Sequence, residues 1–81
     1  MLDDSKAISA KEIVNQPDSV YALNRAYIIV IDSSMSNTFS SMVDALNILY
    51  DAGWEVDSMA SYSYVMQVIL KNTNYKRKNR A

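Results

Sequence analysis

The only glycine of the 81-residue chain stands directly before its only tryptophan, at Gly53 and Trp54. The residues before this pair repeat apolar side chains at three- and four-residue steps, as on one face of an α-helix, and residues 54–59 have the alternation of a strand. A helix that must end and reverse commonly needs a residue in the left-handed region, where glycine meets no steric penalty. We therefore predict that Gly53 ends the helix and that Trp54 starts a strand with its ring against the last helical turn.

The predicted helix follows a polar loop, 33–37, in which Ser36 or Asn37 can serve as the N-cap. Its apolar side chains fall on one stripe. The stripe consists of Phe39, Met42, Val43, Leu46, Leu49 and Tyr50, and it is widened on one flank by Ala45, Ile48 and Ala52.

Residues 25–32 and 64–71 are rich in β-branched and aromatic side chains and are apolar on both faces, which predicts two further strands. With a right-handed crossover through the helix, the chain becomes an α+β fold with β-α-β-β topology. Its three-stranded antiparallel sheet has the order 2-3-1 and carries one main helix on one face. The second face would be apolar, so we expect the N-terminal arm or a second copy of the chain to cover it.

The chain divides into three segments. Residues 1–24 form a partly helical arm, in which Ser9 and Glu12 have the spacing of a capping box for a helix over 10–16 that Pro17 stops. Residues 25–71 form the β-α-β-β domain. Residues 72–81 form a basic tail that we expect to be flexible.

The composition excludes most catalytic chemistry. The chain has no Cys and no His, which removes disulfides, thiol nucleophiles, His-based triads and the usual zinc ligands. One glycine cannot form a phosphate-binding loop. The carboxylates of Asp32, Glu55 and Asp57 are the remaining candidates for Mg²⁺ or Ca²⁺, but acids at strand ends and on an edge strand are usually solvated. We therefore predict a non-catalytic protein with no metal and no cofactor.

Charge is distributed unevenly along the chain. Residues 1–57 hold all nine acids and three bases, a net charge of about −6, whereas residues 58–81 hold five bases and no acid, about +5. The basic tail with its tyrosine has a composition suited to phosphate contacts and base stacking. The candidate nucleic-acid contacts are Tyr75, Lys76, Arg77, Lys78 and Arg80.

Six tyrosines and five methionines are many for this length, and both residue types are favoured at protein interfaces. The candidate interface residues are Ile28, Val30, Ile48, Tyr62, Tyr64 and Met66. Our leading hypothesis is a protein-interaction module that forms a homodimer or higher oligomer through its second sheet face or an edge strand and binds another macromolecule. Small size and an acidic body are also typical of bacterial or phage-encoded inhibitors or regulators. The alternative is a nucleic-acid-associated protein that uses the tail.

The N-terminal segment carries acids where a signal peptide would carry bases, and the longest apolar run, 26–31, is too short to span a bilayer. We therefore expect a cytoplasmic protein without a membrane partner.

The junction formed by Ala52, Gly53, Trp54, Glu55 and Val56 resembles that of a small bacterial family called domain of unknown function 4177. The resemblance covers roughly residues 26–71, from an aliphatic strand to a short apolar strand that closes in lysine. It implies a β-α-β-β unit and brings no catalytic residues. The arm and the tail depart from the family pattern.

Overall fold

Two α-helices lie against one face of a mixed four-stranded sheet in a computed structural model that describes residues 6–36 and 38–75. In chain order, the elements are β1 (Ile8–Ser9), α1 (Ala10–Asn15), a 3₁₀ helix (Pro17–Ala22), β2 (Tyr27–Ser33), α2 (Ser40–Asp51), β3 (Trp54–Tyr62) and β4 (Val65–Asn72). Within these ranges, no helix has the length and apolar character needed to cross a membrane.

The sheet has the order β1-β2-β4-β3, which confirms the predicted α+β class. β4 is antiparallel to both β2 and β3. The prediction of a three-stranded antiparallel sheet is wrong, because Ile8 and Ser9 of the arm pair in parallel with Val30 and Ile31 and add a fourth strand. A two-residue strand is too short to show a period of two in the sequence.

The core lies between the helices and one face of the sheet. Ile28 and Val30 of β2 stand opposite Leu70 and Val68 of β4, and all four are buried beneath the helices. The core consists of Ile8, Ala10, Ile13, Val20, Leu23, Ile28, Val30, Phe39, Met42, Ala45, Leu49, Trp54, Val68 and Leu70.

The N-terminal arm belongs to this core and lies on the same side of the sheet as α2. Its helix α1 contacts α2, β1 and β2, and Ala10 and Ile13 are buried. The helix ends at Asn15, just before Pro17, close to the predicted end. The predicted capping box does not form, because Ser9 makes no side-chain cap bond and its backbone is engaged in β1. The described part of the arm, residues 6–24, therefore does not cover the second face of the sheet.

The N-terminus of α2 is capped from a neighbouring strand. Phe39 occupies the N-cap position with φ 49°, and its side chain makes no cap bond. The predicted cap by Ser36 is therefore wrong, and Asn37 lies outside the described residues. Instead, the backbone N–H of Met42 donates to Asp32 Oδ2 at 3.2 Å. A carboxylate at this position also interacts favourably with the helix dipole.

The buried stripe of α2 is rotated from the predicted one. Met42, Ala45 and Leu49 are buried, whereas Val43 and Tyr50 are 56% and 71% exposed. Helix α1 of the N-terminal arm causes this rotation of the buried stripe. Because α1 packs beside α2, the helix buries the flank that the sequence showed only as a widening of the stripe.

The helix-to-strand junction confirms the prediction made from Gly53. This residue has φ +97°, and its N–H donates to the carbonyl of Tyr50 at 3.1 Å. Trp54 is 2% exposed and belongs to the same core cluster as Leu49. Beyond β4, the backbone N–H and the hydroxyl of Thr73 both donate to the Gly53 carbonyl, at 2.9 and 2.7 Å.

The hairpin of β3 and β4 is longer than predicted. β3 continues to Tyr62, and the turn consists of Ser63 and Tyr64, with φ 42° and 66°. Positive φ at both central residues is characteristic of a type I′ turn. Residues 54–59 do not alternate regularly, as the sequence pattern predicted, because a bulge between Val56 and Ser58 places Ser58 on the opposite face from Trp54.

Candidate functional site

No described element covers the face of the sheet opposite the helices, which we call the open face. Strand register fixes its members, because residues paired across strands project to the same side. The open face comprises Ser9 of β1, Tyr27, Ile29, Ile31 and Ser33 of β2, Val65, Gln67, Ile69 and Lys71 of β4, and Glu55, Ser58, Ala60 and Tyr62 of β3.

The centre of the open face is aliphatic. Ile29 and Ile69 stand directly opposite each other on the two central strands, and Ile31 is the next open-face residue along β2. Ile29 is 38% exposed although it lies in the middle of a central strand, and Ile31 and Ile69 are partly exposed. Aliphatic side chains at these positions stay in contact with water because no described element packs on this side.

Aromatic residues mark opposite ends of the open face. Tyr27 lies at the start of β2 and Tyr62 at the hairpin end of β3, with exposed fractions of 53% and 62%. Tyrosine is enriched in protein interfaces, since it combines a large apolar ring with a polar hydroxyl.

The open face is almost uncharged. Among its described residues, only Glu55 and Lys71 carry charge, and the register places them opposite each other at one end. Exposed sheet faces are normally polar along the strands. Here the opposite charges are neighbours, so the face as a whole is neutral.

The six predicted interface residues fall into different environments. Ile28 and Val30 are 3% and 0% exposed, so their prediction as a partner surface is corrected: they contact the helices and offer nothing to a second protein. Ile48 and Met66 are partly buried against the core. Tyr62 and Tyr64 are 62% and 50% exposed at the hairpin end, which leaves them accessible to a partner.

Sequence reasoning missed the residues that do lie on the open face of β2 and β4. Ile29, Ile31 and Ile69 are one position out of phase with the predicted set. In a strand that is apolar on both faces, the pattern does not show which face is covered. In the structure, the arm packs beside α2, so both cover the same face of β2 and leave Ile29 and Ile31 on the other face.

The three candidate metal ligands do not form a site. Asp32 is buried beneath α2, Glu55 lies on the open face, and Asp57 lies in the bulge of β3. In the part of the chain that the structure describes, no group of three or more acidic residues is placed to hold a metal ion.

A cleft of about 610 Å³ opens between the loop before α2 and the hairpin turn. Its walls carry many hydroxyls, and those of Ser34 and Thr38 interact with each other and with the nearby Ser36 hydroxyl at 3.2–3.4 Å. Lys11 reaches its rim, and the carboxylate of Asp32 in its wall accepts the Met42 N–H. The loop is also tied to the turn, because the N–H of Ser34 donates to the Tyr64 carbonyl at 2.8 Å. These bonds link the loop hydroxyls to one another and hold the loop against the hairpin.

Of the predicted nucleic-acid contacts, Tyr75 is 37% exposed just beyond β4. Lys76, Arg77, Lys78 and Arg80 lie outside the described residues. Their role therefore stays a prediction.

Comparison with protein-family models, with curated proteins and with solved structures found no match to this chain. The resemblance to domain of unknown function 4177 therefore also stays a prediction.

Proposed function

We propose that the protein is a non-catalytic interaction module that self-associates through the open face. The observation that carries this proposal is the aliphatic pair Ile29 and Ile69, exposed at the centre of the sheet. Complete burial of a fully exposed aliphatic side chain contributes about 1.5–3 kcal/mol, and roughly a third of that remains to be gained at Ile29, which is 38% exposed. A partner that covers the face therefore gains free energy that the isolated chain leaves unused.

The neutrality of the open face favours a second copy as the partner. In a two-fold interface, the same surface meets itself, so any net charge would meet like charge. The open face avoids this conflict, because its two charged residues, Glu55 and Lys71, compensate each other within one copy.

The free edge of β3 is a poorer route to assembly. Its bulge at Asp57 interrupts the strand register, and Glu55 and Asp57 place negative charge along the edge. Bulges and charged side chains are features that prevent edge-to-edge pairing of strands. We therefore place self-association on the face of the sheet and not on its edge.

The area of the open face limits the expected affinity of the dimer. Three strands cover roughly 14 Å across and 25 Å along the sheet, which is small beside the ~800 Å² that each partner buries in a stable complex. We expect a dimer with a dissociation constant in the micromolar range.

Light scattering coupled to size-exclusion chromatography tests the proposal. We expect the mass to rise from 9.1 kDa towards twice that value as the concentration increases through the micromolar range. Ile29→Lys should keep the chain monomeric, because it places an ammonium group at the centre of the interface. Ile29→Thr, which keeps β-branching, should weaken the dimer by a smaller factor.

Val56→Lys is the matched control, since Val56 is 47% exposed and lies on the other side of the sheet. Circular dichroism establishes that each variant is folded. A wild-type chain that stays monomeric throughout the micromolar range, or a dimer that Ile29→Lys leaves intact, would contradict the proposal.

A further inference from the structure

The helices cover only part of the sheet on their own side. α1 contacts β1 and β2, and α2 contacts β2 and β3. Within β3, however, only Trp54 at the start of the strand is buried, and residues 55–62 are all exposed. The described chain therefore has a vacant position beside α2, above the outer strand.

This position is a groove with apolar walls. On β3, Val56 and Met59 project to the helix side and are 47% and 55% exposed. On α2, Val43, Leu46 and Tyr50 share one helix face at three- and four-residue spacing. Phe39, which precedes them on this face, lies beside Ser61 and Tyr62 of β3, so the face is turned towards the outer strand. Val43 and Tyr50 are exposed, and Leu46 is partly buried. We call the side chains of Val43, Leu46, Tyr50, Val56 and Met59 the groove.

The shape of the groove fits a helix. The strand forms its floor and the helix its wall, as in the contact of α2 with the sheet. An amphipathic helix can place residues i, i+3, i+4 and i+7 into such a depression. A third helix here would extend the helical layer over β3.

The surroundings of the groove are acidic. Between Arg25 and Lys71, the chain contains five acidic residues and no Lys or Arg. Three of these acids, Asp44, Asp51 and Asp57, lie exposed on α2 and β3, whereas Glu55 projects to the open face. A positively charged partner is attracted to this rim, whereas like charge there disfavours association.

The acidic residues around the groove argue against other ligands for it. A second copy would bring acids against acids, in contrast to the neutral open face. Nucleic acid and anionic lipid carry the same sign as the rim. The basic tail has the right charge, but residues 76–81 contain no apolar side chain larger than alanine to fill the groove.

We propose that the groove of Val43, Leu46, Tyr50, Val56 and Met59 binds a basic amphipathic helix of a partner protein. This proposal does not depend on self-association, because the groove and the open face lie on opposite sides of the sheet.

A synthetic peptide provides the probe. Its leucines follow the i, i+3, i+4, i+7 pattern and lysines fill the remaining positions. One control peptide has the same composition in scrambled order, and a second has glutamate in place of lysine. Fluorescence anisotropy with the full-length protein should show binding of the patterned basic peptide, weakened by salt. Amide shifts in NMR spectra should cluster on α2 and the first half of β3.

Variants then locate the site. Met59→Lys and Val56→Lys should each weaken binding by about tenfold or more, since each removes an apolar contact and adds repulsion. Tyr27→Lys, a matched change on the open face, should leave peptide binding unchanged. The proposal fails if the scrambled peptide binds equally well, if the patterned peptide does not bind, or if the amide shifts fall on the open face.

Discussion

The carboxylate of Asp32 caps α2 across the core, and its removal gives the most direct test of how the fold is held. Asp32 is 6% exposed, and its Oδ2 accepts the backbone N–H of Met42 at 3.2 Å. The residue at the local N-cap, Phe39, has no side-chain acceptor to replace it. Asp32→Ala should therefore leave a buried donor without a partner.

The magnitude follows from this single bond. Loss of an N-cap acceptor costs about 0.5–2 kcal/mol, and an unsatisfied buried donor costs about 1–3 kcal/mol. These ranges describe the same loss and are not added, so we expect Asp32→Ala to lower the free energy of unfolding by about 2 kcal/mol. In a domain of this size, the melting temperature would fall by roughly 8–16 °C. Asp32→Asn keeps an acceptor and loses mainly the interaction with the helix dipole, about 0.3–1 kcal/mol.

Urea denaturation followed by the fluorescence of Trp54 measures both variants. All samples need the same protomer concentration, because self-association couples stability to concentration. Asp57→Ala is the control, since Asp57 is exposed on β3 and should change stability by less than about 0.5 kcal/mol. Asp32 would not act as the cap of α2 if the alanine and asparagine variants were equally stable, or if neither differed from wild type.

Three other changes test separate features. Gly53→Ala should destabilise by about 1–2 kcal/mol in urea, because φ is +97° and a Cβ would overlap the Asn74 amide; a Gly53→Ala variant as stable as wild type would contradict this. Tyr64→Gly should stabilise by about 0.5–1 kcal/mol, as relief of the left-handed conformation exceeds the entropy cost of glycine. Tyr21→Gly, at a negative φ, should only destabilise. If the tail binds nucleic acid, the full chain should bind a single-stranded oligonucleotide at low salt, and deletion of residues 76–81 should abolish this; binding that ignores salt or the deletion would exclude it.

The sequence predicted the ends of helices well where a single residue allows only one backbone conformation. Gly53 had to accommodate a positive φ, and Pro17 had to end a helix, so both boundaries are close to those predicted. The antiparallel pairing of β4 with both neighbours followed from the crossover, which leaves β2 and β3 parallel, and from the hairpin that places β4 between them. The effects of glycine and proline extend over only a few residues, and the rule for crossover connections is general. Neither kind of rule requires knowledge of distant contacts.

The phase of β2 could not be predicted in the same way. Asp32 shares a face with Ile28 and Val30, and a carboxylate on a strand normally marks the wet side. In this protein the carboxylate of Asp32 lies on the covered face instead, because the N–H of Met42 in α2 donates to it. This donor reaches Asp32 only after the helix has packed on the sheet. The candidate surface therefore moved by one residue, from Ile28 to Ile29. The arm caused a similar error in α2, where it buried Ala45 and left Tyr50 exposed.

The two proposed surfaces have a joint consequence for how a partner would be held. If two copies pack through their open faces, the helical layers lie on the outside and the two grooves face away from each other. A dimer would then present two sites for basic helices, and a partner with two such helices on a linker long enough to reach both would bind more tightly than either helix alone. Ile29→Lys should remove this gain while leaving the affinity for a single helix unchanged. Met59→Lys should weaken binding of a single helix and of the linked pair alike, so the two variants separate assembly from recognition.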